Sequence, residues 1–278
     1  MAKTENNKRL ILILGGKGGT GKTLFCRVLY YYLLKDKINC KGYDADIENT
    51  EFYEIHTKSS NPVEPLNFLA IEDAKTLFTL LHDKKPDVAL VDMPGASGAG
   101  TRDQLDLFGV FGIIKELGYR LTIATVMNNT FNPINSLDAM LRFCGTQSDY
   151  LVVKSQLYSQ GALNFNRWEV SKTRKLLQEM KGLEIDLPVL EPSVFDVIHE
   201  LNLSFFDMDK LPFGDRILAD SFLARTLPEL QRAGEYLGFP VAAAKTTSAK
   251  ASDAKGAEAK TTDPGKALPE LVGTAPSS

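Results

Sequence analysis

The residues best suited to chemistry lie near the N-terminus, in Gly16-Lys17-Gly18-Gly19-Thr20-Gly21-Lys22-Thr23. The run satisfies the G-x-x-x-x-G-K-[ST] pattern of a phosphate-binding P-loop. Closely spaced glycines let successive backbone N–H groups curl around an anion with no Cβ in the way. A helix starting where the loop ends adds its N-terminal partial positive charge at the same place. In that pattern Lys22 reaches the β- and γ-phosphates and Thr23 offers its hydroxyl to Mg²⁺. Two carboxylates, Asp46 and Asp92, follow short apolar runs. Beside a γ-phosphate, one carboxylate can orient water and accept a proton, and another can hold a metal ion.

These groups act together only if the chain brings them to one place. Five large apolar residues, Leu10 to Leu14, precede the loop and read as a buried strand, and Leu24 to Lys35 reads as a helix packed on a sheet. Asn39 to Tyr43 reads as a second strand ending at Asp44-Ala45-Asp46, and Asp87 to Asp92 as a third. Ile47 to Pro65 is polar with two prolines and reads as a loop, followed by a strand over Leu66 to Ile71 and a helix over Asp73 to His82. Met93 to Gly100 reads as a second glycine-rich loop and Thr101 to Leu117 as one helix. Further strands are expected at Arg120–Val126, Tyr150–Lys154 and Leu183–Leu187, with helices at Ile134–Cys144, Val170–Met180, Ser193–Glu200 and Asp215–Leu237. Pro228 is expected to break the last helix. Alternating strands and helices predict an α/β fold: a doubly wound, mostly parallel sheet flanked by helices. Ligands in such sheets bind beyond the carboxyl ends of the strands, where the loop, Asp46 and Asp92 all fall.

The second lysine of the loop, Lys17, gives the form K-G-G-x-G-K-T, which resembles the deviant Walker A motif of the ParA/MinD ATPases. The resemblance implies that Lys17 crosses a nucleotide-sandwich homodimer to the partner's phosphates and, with Lys22, serves hydrolysis. Gly42-Tyr43-Asp44-Ala45-Asp46 resembles the family's D-x-D, which gives Asp46 the water-positioning role in switch I. Val91-Asp92-Met93-Pro94-Gly95 resembles its Walker B and D-x-P continuation, which gives Asp92 the Mg²⁺ hydration shell and Gly95 to Gly100 switch II. Gly16 to Thr23 would then bind ATP, with Thr23 and Asp92 on the metal. Leu24 stands where many relatives have a second Thr, and Lys154-Ser155-Gln156 where relatives often place an adenine-reading Asn. No N-K-x-D guanine motif is visible, so ATP is preferred over GTP.

Within the family the likeness is to ATPases of plasmid partition and conjugative transfer (the StbB and TraL type). It implies a slow ATPase switch with a small DNA-binding or transfer partner and non-specific DNA as candidate partners. A metabolic enzyme of the dethiobiotin-synthetase type, or a nucleotide-binding adaptor with negligible turnover, is the alternative reading of the same loop.

Bulk properties fit. Apolar residues make up 44% of the 278, enough for a sizeable core, and the net charge of −3 makes no global demand for nucleic acid or an anionic membrane. Cys26, Cys40 and Cys144 are odd in number and widely spaced, which predicts reduced thiols in the cytoplasm and no disulfide framework. His56, His82 and His199 have no metal-ligand spacing. The densest basic stretch, Arg167, Lys172, Arg174 and Lys175 beside Trp168, is either a DNA-phosphate patch or a solvated helix face. The ATPase domain is expected over residues 1–240. Residues 241–278 are rich in Ala, Lys and Thr, with no apolar face, and are expected to be a disordered tail that does not target a membrane.

Overall fold

The structure is a computed structural model that describes residues 8–16, 18–157 and 165–240. All of them fall in one unit, residues 1–241; the second unit, 242–278, which holds nearly all of the expected tail, lies outside the described residues. In chain order the elements are β1 (Lys8–Gly15), α1 (Lys22–Lys35), β2 (Cys40–Asp44), α2 (Glu51–His56), β3 (Glu64–Pro65) and α3 (Ile71–Lys84). Then come β4 (Val88–Asp92), α4 (Gly98–Leu107), α5 (Val110–Glu116), β5 (Tyr119–Met127), α6 (Phe131–Cys144) and β6 (Ser148–Ser155). The chain closes with α7 (Asn166–Glu169), α8 (Lys172–Glu179), β7 (Leu183–Leu187), α9 (Pro192–Glu200) and α10 (Phe213–Arg232).

The seven strands form one sheet in the order β3-β2-β4-β1-β5-β6-β7, and every pairing is parallel. Parallel strands buried on both faces read as continuous apolar runs, which is why β1 shows no alternation in sequence. In space it alternates: Ile11 and Ile13 face the layer of α1, α9 and α10, while Leu10, Leu12 and Leu14 face the layer that includes α3 and α6. Strand order reverses beside β1, which pairs with β4 on one side and β5 on the other, and such a switch point opens a crevice at the carboxyl ends. The register aligns Ile13, Asp92 and Asp44 in one row across β1, β4 and β2. The P-loop and both acidic strand ends therefore share an edge, as expected.

Four local expectations give way to tertiary structure. The segment 47–65 contains α2 and the two-residue β3. No strand occupies 66–71; Phe68 N–H turns back to the Leu66 carbonyl, Asn67 N–H is held by the Asp73 carboxylate at 2.7 Å, and α3 begins at Ile71. The helix expected over 101–117 is two, parted at Gly109, whose φ of 56° lies in the left-handed region. Finally, α10 runs through Pro228. Proline cannot donate to the carbonyl four residues back, but Pro228 and Ala224 both lie on the exposed side, so that carbonyl is left to water. Among the described residues no helix is long and apolar enough to cross a membrane.

Candidate functional site

The loop between β1 and α1 is shaped by its glycines. Gly21, at the N-cap position of α1, has φ 89°, and Gly19 has φ 77°, conformations that disfavour any side chain. A Cβ on Gly16 would lie 2.5 Å from the Pro133 backbone nitrogen, and one on Gly21 2.9 Å from Ser155 Oγ. Gly18 and Gly19 meet nothing within 4 Å and line an open cleft. The loop is thus packed at its two ends and open in the middle, where an anion would sit. Lys22, only 6% exposed, folds back over Gly15 and lines the same cleft. Thr23 Oγ1 donates to Asp92 Oδ2 at 2.7 Å, and the Thr20 hydroxyl is buried without a partner. Lys17 lies outside the described residues.

The three carboxylates of the edge differ. Asp92 is 1% exposed; burial pushes its carboxyl up to about 7, against the Thr23 hydrogen bond and the Lys22 charge. Its Oδ1 has no partner. Asp44, also buried, accepts the N–H groups of Asp46 at 3.1 Å and of Tyr53 at 2.9 Å, and burial pushes its carboxyl up to about 6. Asp46 is half-buried and lines the cleft, and its Oδ1 accepts the N–H groups of Glu48 and Asn49, each at 3.3 Å.

The cleft has a volume near 850 Å³, within the range of small-molecule sites. Besides the loop, its walls include Asp46, Glu51, Ser97, Leu157 and Phe195. An unpaired buried polar atom is costly unless a ligand completes it, and Asp92 Oδ1 and Ser97 Oγ are two such atoms at this edge. The residues present therefore fit a phosphate group with a divalent cation: backbone N–H donors and Lys22 for the anion, Thr23 and Asp92 for the metal.

Sequence reasoning did not single out Ser97, which sits between Ala96 (φ 55°) and the start of α4 at Gly98, inside the stretch Gly95 to Gly100 that the resemblance gave to switch II as a whole. It also missed Arg27. This guanidinium is 1% exposed, pairs with Glu51 at the start of α2, donates to the Leu203 carbonyl at 2.9 Å, and lies 5.5 Å from the Phe205 ring centroid. The basic stretch is partly neutralised: Arg174 pairs with Glu184 at 2.7 Å, Trp168 is buried and donates to the same carboxylate, and Arg167 stacks on Phe131. Lys172 and Lys175 remain exposed. All three cysteines are free and buried.

Fold and loop together define the class, a parallel α/β P-loop fold of the MinD type. The chain superposes on the septum site-determining protein MinD of Pyrococcus horikoshii, solved with Mg-ADP, with a TM-score of 0.50 and 14% identity over 80% of this chain and 97% of that one. A second MinD, the cell division ATPase of Pyrococcus furiosus, covers 80% of this chain and 99% of its own at a TM-score of 0.48 and 14% identity. In sequence the chain is 24% identical over 211 residues to protein MobD of Acidithiobacillus ferrooxidans, spanning 75% of this chain and 90% of MobD. No protein-family model matches the chain. The ParA/MinD resemblance read from the loop thus holds at the level of fold.

Proposed function

We propose that this chain is an ATP-binding, slowly hydrolysing ATPase, carried by residues 1–240, whose nucleotide state switches a homodimer in plasmid or DNA partition or in conjugative transfer. The observation that carries the reading is the hydrogen bond from Thr23, which lines the cleft with Lys22, to the buried Asp92, whose other oxygen is left unpaired. Bound Mg²⁺ would supply charge neutralisation at the β- and γ-phosphate oxygens. Thr23 would hold it directly and Asp92 through its hydration shell. The backbone N–H groups of Gly16 to Thr23, with Lys22, would hold the phosphates in place. Asp46 would orient the attacking water and accept its proton. Lys17 would reach the phosphates bound by the partner copy and make turnover depend on dimerisation. The sequence supports a cytoplasmic protein, with DNA and a small DNA-binding or transfer protein as partners.

The test combines single-turnover ATP hydrolysis, with and without Mg²⁺ and DNA, with light scattering in ADP and in a non-hydrolysable ATP analogue. The analogue is expected to double the mass, and Lys17→Ala to bind ATP but neither dimerise nor hydrolyse it. A Lys17→Ala protein that dimerises and hydrolyses like the wild type would sink the cross-dimer role. A wild type whose mass ignores the nucleotide would sink the switch.

A further inference from the structure

Asp44 lies in the phosphate-site row of the sheet but is not part of the cleft wall. Both its oxygens face its own chain. Oδ1 accepts the N–H of Asp46, and Oδ2 accepts the N–H of Tyr53, the third residue of α2. The first N–H groups of a helix lack partners within it and are ordinarily met by the N-cap side chain. Here the N-cap residue, Thr50, makes no such bond, and its hydroxyl goes to Glu54 Oε1 at 2.8 Å. Asp44 therefore caps α2 from another element and grips the start of the preceding loop with the same carboxylate.

The loop between those two grips carries Asp46. Inside it Asp46 closes a turn, through its side chain to Glu48 and Asn49 and through its carbonyl to the Asn49 N–H at 3.1 Å. Beyond it, Glu51 is anchored by Arg27, one helical turn past Thr23 on α1. The segment 46–53 is thus tied to β2 at both ends and to α1 through Glu51. Packing alone would be served by an apolar residue at position 44, since burying an ionisable carboxyl is unfavourable without such bonds.

We infer that Asp44 is a positioning residue that acts through Asp46, clasping residues 46–53 so that the Asp46 carboxylate stays at the cleft. The inference rests on the reading above in which Asp46 orients water. A carboxylate displaced by about 1 Å loses on the order of 10- to 100-fold in rate with little effect on binding. The full chain is assayed as wild type, Asp44→Ala, Asp44→Asn, Asp46→Ala and Asp44→Ala/Asp46→Ala. Readouts are single-turnover hydrolysis, affinity for a non-hydrolysable ATP analogue, and hydrogen exchange of the 46–53 amides.

Asp44→Ala should slow hydrolysis about 10- to 100-fold while changing analogue affinity less than about threefold. Asp44→Asn, which keeps one acceptor oxygen, should recover part of the rate. The double variant should be no slower than Asp46→Ala, and exchange should quicken over 46–53 with β1 and β4 unchanged. Wild-type hydrolysis in Asp44→Ala with Asp46→Ala inactive would overturn this inference alone. So would a double variant slower than Asp46→Ala by the full Asp44→Ala factor, because Asp44 would then act independently. Wild-type hydrolysis in Asp46→Ala would remove the functional reading and this inference together. If Asp44→Ala does not fold, Asp44→Asn carries the comparison, and unchanged exchange and rate in it overturn the clasp.

Discussion

His56 ends the short helix that follows the Asp46 loop, and its protonation offers a way to measure how firmly that helix is held. The ring is 2% exposed, with Phe52 and Tyr30 set edge-on at 5.2 and 5.3 Å between centroids. Its Nδ1 lies 2.9 Å from the Phe52 carbonyl, which can only accept, so Nδ1 carries the proton of the neutral ring. Burial pushes the imidazole pKa from 6.5 down to about 4; the Phe52 bond works against that shift, and the nearby Arg27 charge adds to it. The folded protein thus binds fewer protons than the unfolded chain between these values. Stability from this group is complete above pH 6.5 and is lost as pH falls toward 4. At 1.36 kcal/mol per unit the full loss is about 3 kcal/mol, of which about 2 kcal/mol falls between pH 7 and pH 5. Urea unfolding of the wild type and of His56→Asn, whose amide can still donate to Phe52, measures it at both pH values. Titrations common to both proteins cancel in the difference. The wild type's advantage should shrink by about 2 kcal/mol from pH 7 to pH 5. An advantage that is the same at both pH values would refute the buried neutral ring.

Two other comparisons test the packing of the site. Gly16→Ala should destabilise by about 1–3 kcal/mol in urea unfolding, because its Cβ meets the Pro133 backbone, whereas Gly18→Ala, facing open space, should stay within about 0.5 kcal/mol. Arg27→Met should lose about 2–4 kcal/mol in the same assay by leaving Glu51 and the Leu203 carbonyl unpaired, and adding Glu51→Gln should restore part of it.

The sequence is most legible where physical demands are contiguous. A phosphate cradle requires its glycines, lysine and threonine in unbroken order, so Gly16 to Thr23 could be read without a structure. Strands buried on both faces betray themselves as apolar runs, which located β1 and β4, while the edge strand β7 showed as the alternation Leu183-Glu184-Ile185-Asp186-Leu187. What escaped depends on partners distant in sequence. The helix α2 has six residues and no cap of its own; it exists because Asp44 and Arg27 hold it. Continuation of α10 past Pro228 depends on Thr226 and Leu230, which are buried on the opposite side from the lost hydrogen bond. The motif Val91 to Gly95 marked the stretch that holds Ser97, but that its hydroxyl is buried and unpaired at the cleft is set by the fold around it.

Asp44 and Asp92 show how a ligand-directed group can be told from a structural one when both carry the same signs. They are register partners on adjacent strands, both buried, both with carboxyls pushed upward mainly by burial, and Asp44 raises Asp92 further by its charge. Burial and titration therefore do not separate them. Hydrogen bonding does: Asp44 has both oxygens on backbone N–H groups, while Asp92 has Oδ2 on the Thr23 hydroxyl, only the weakly donating Cys26 thiol otherwise against its carboxyl, and Oδ1 buried with no hydrogen-bond partner. A group satisfied by its own chain gains nothing from a ligand and acts on chemistry only through what it holds. A group left unsatisfied beside Lys22 and Thr23, next to a glycine-rich loop, is one that a ligand can complete. On that difference Asp92 is the group proposed for the metal, and Asp44 the group proposed to hold the loop that carries Asp46.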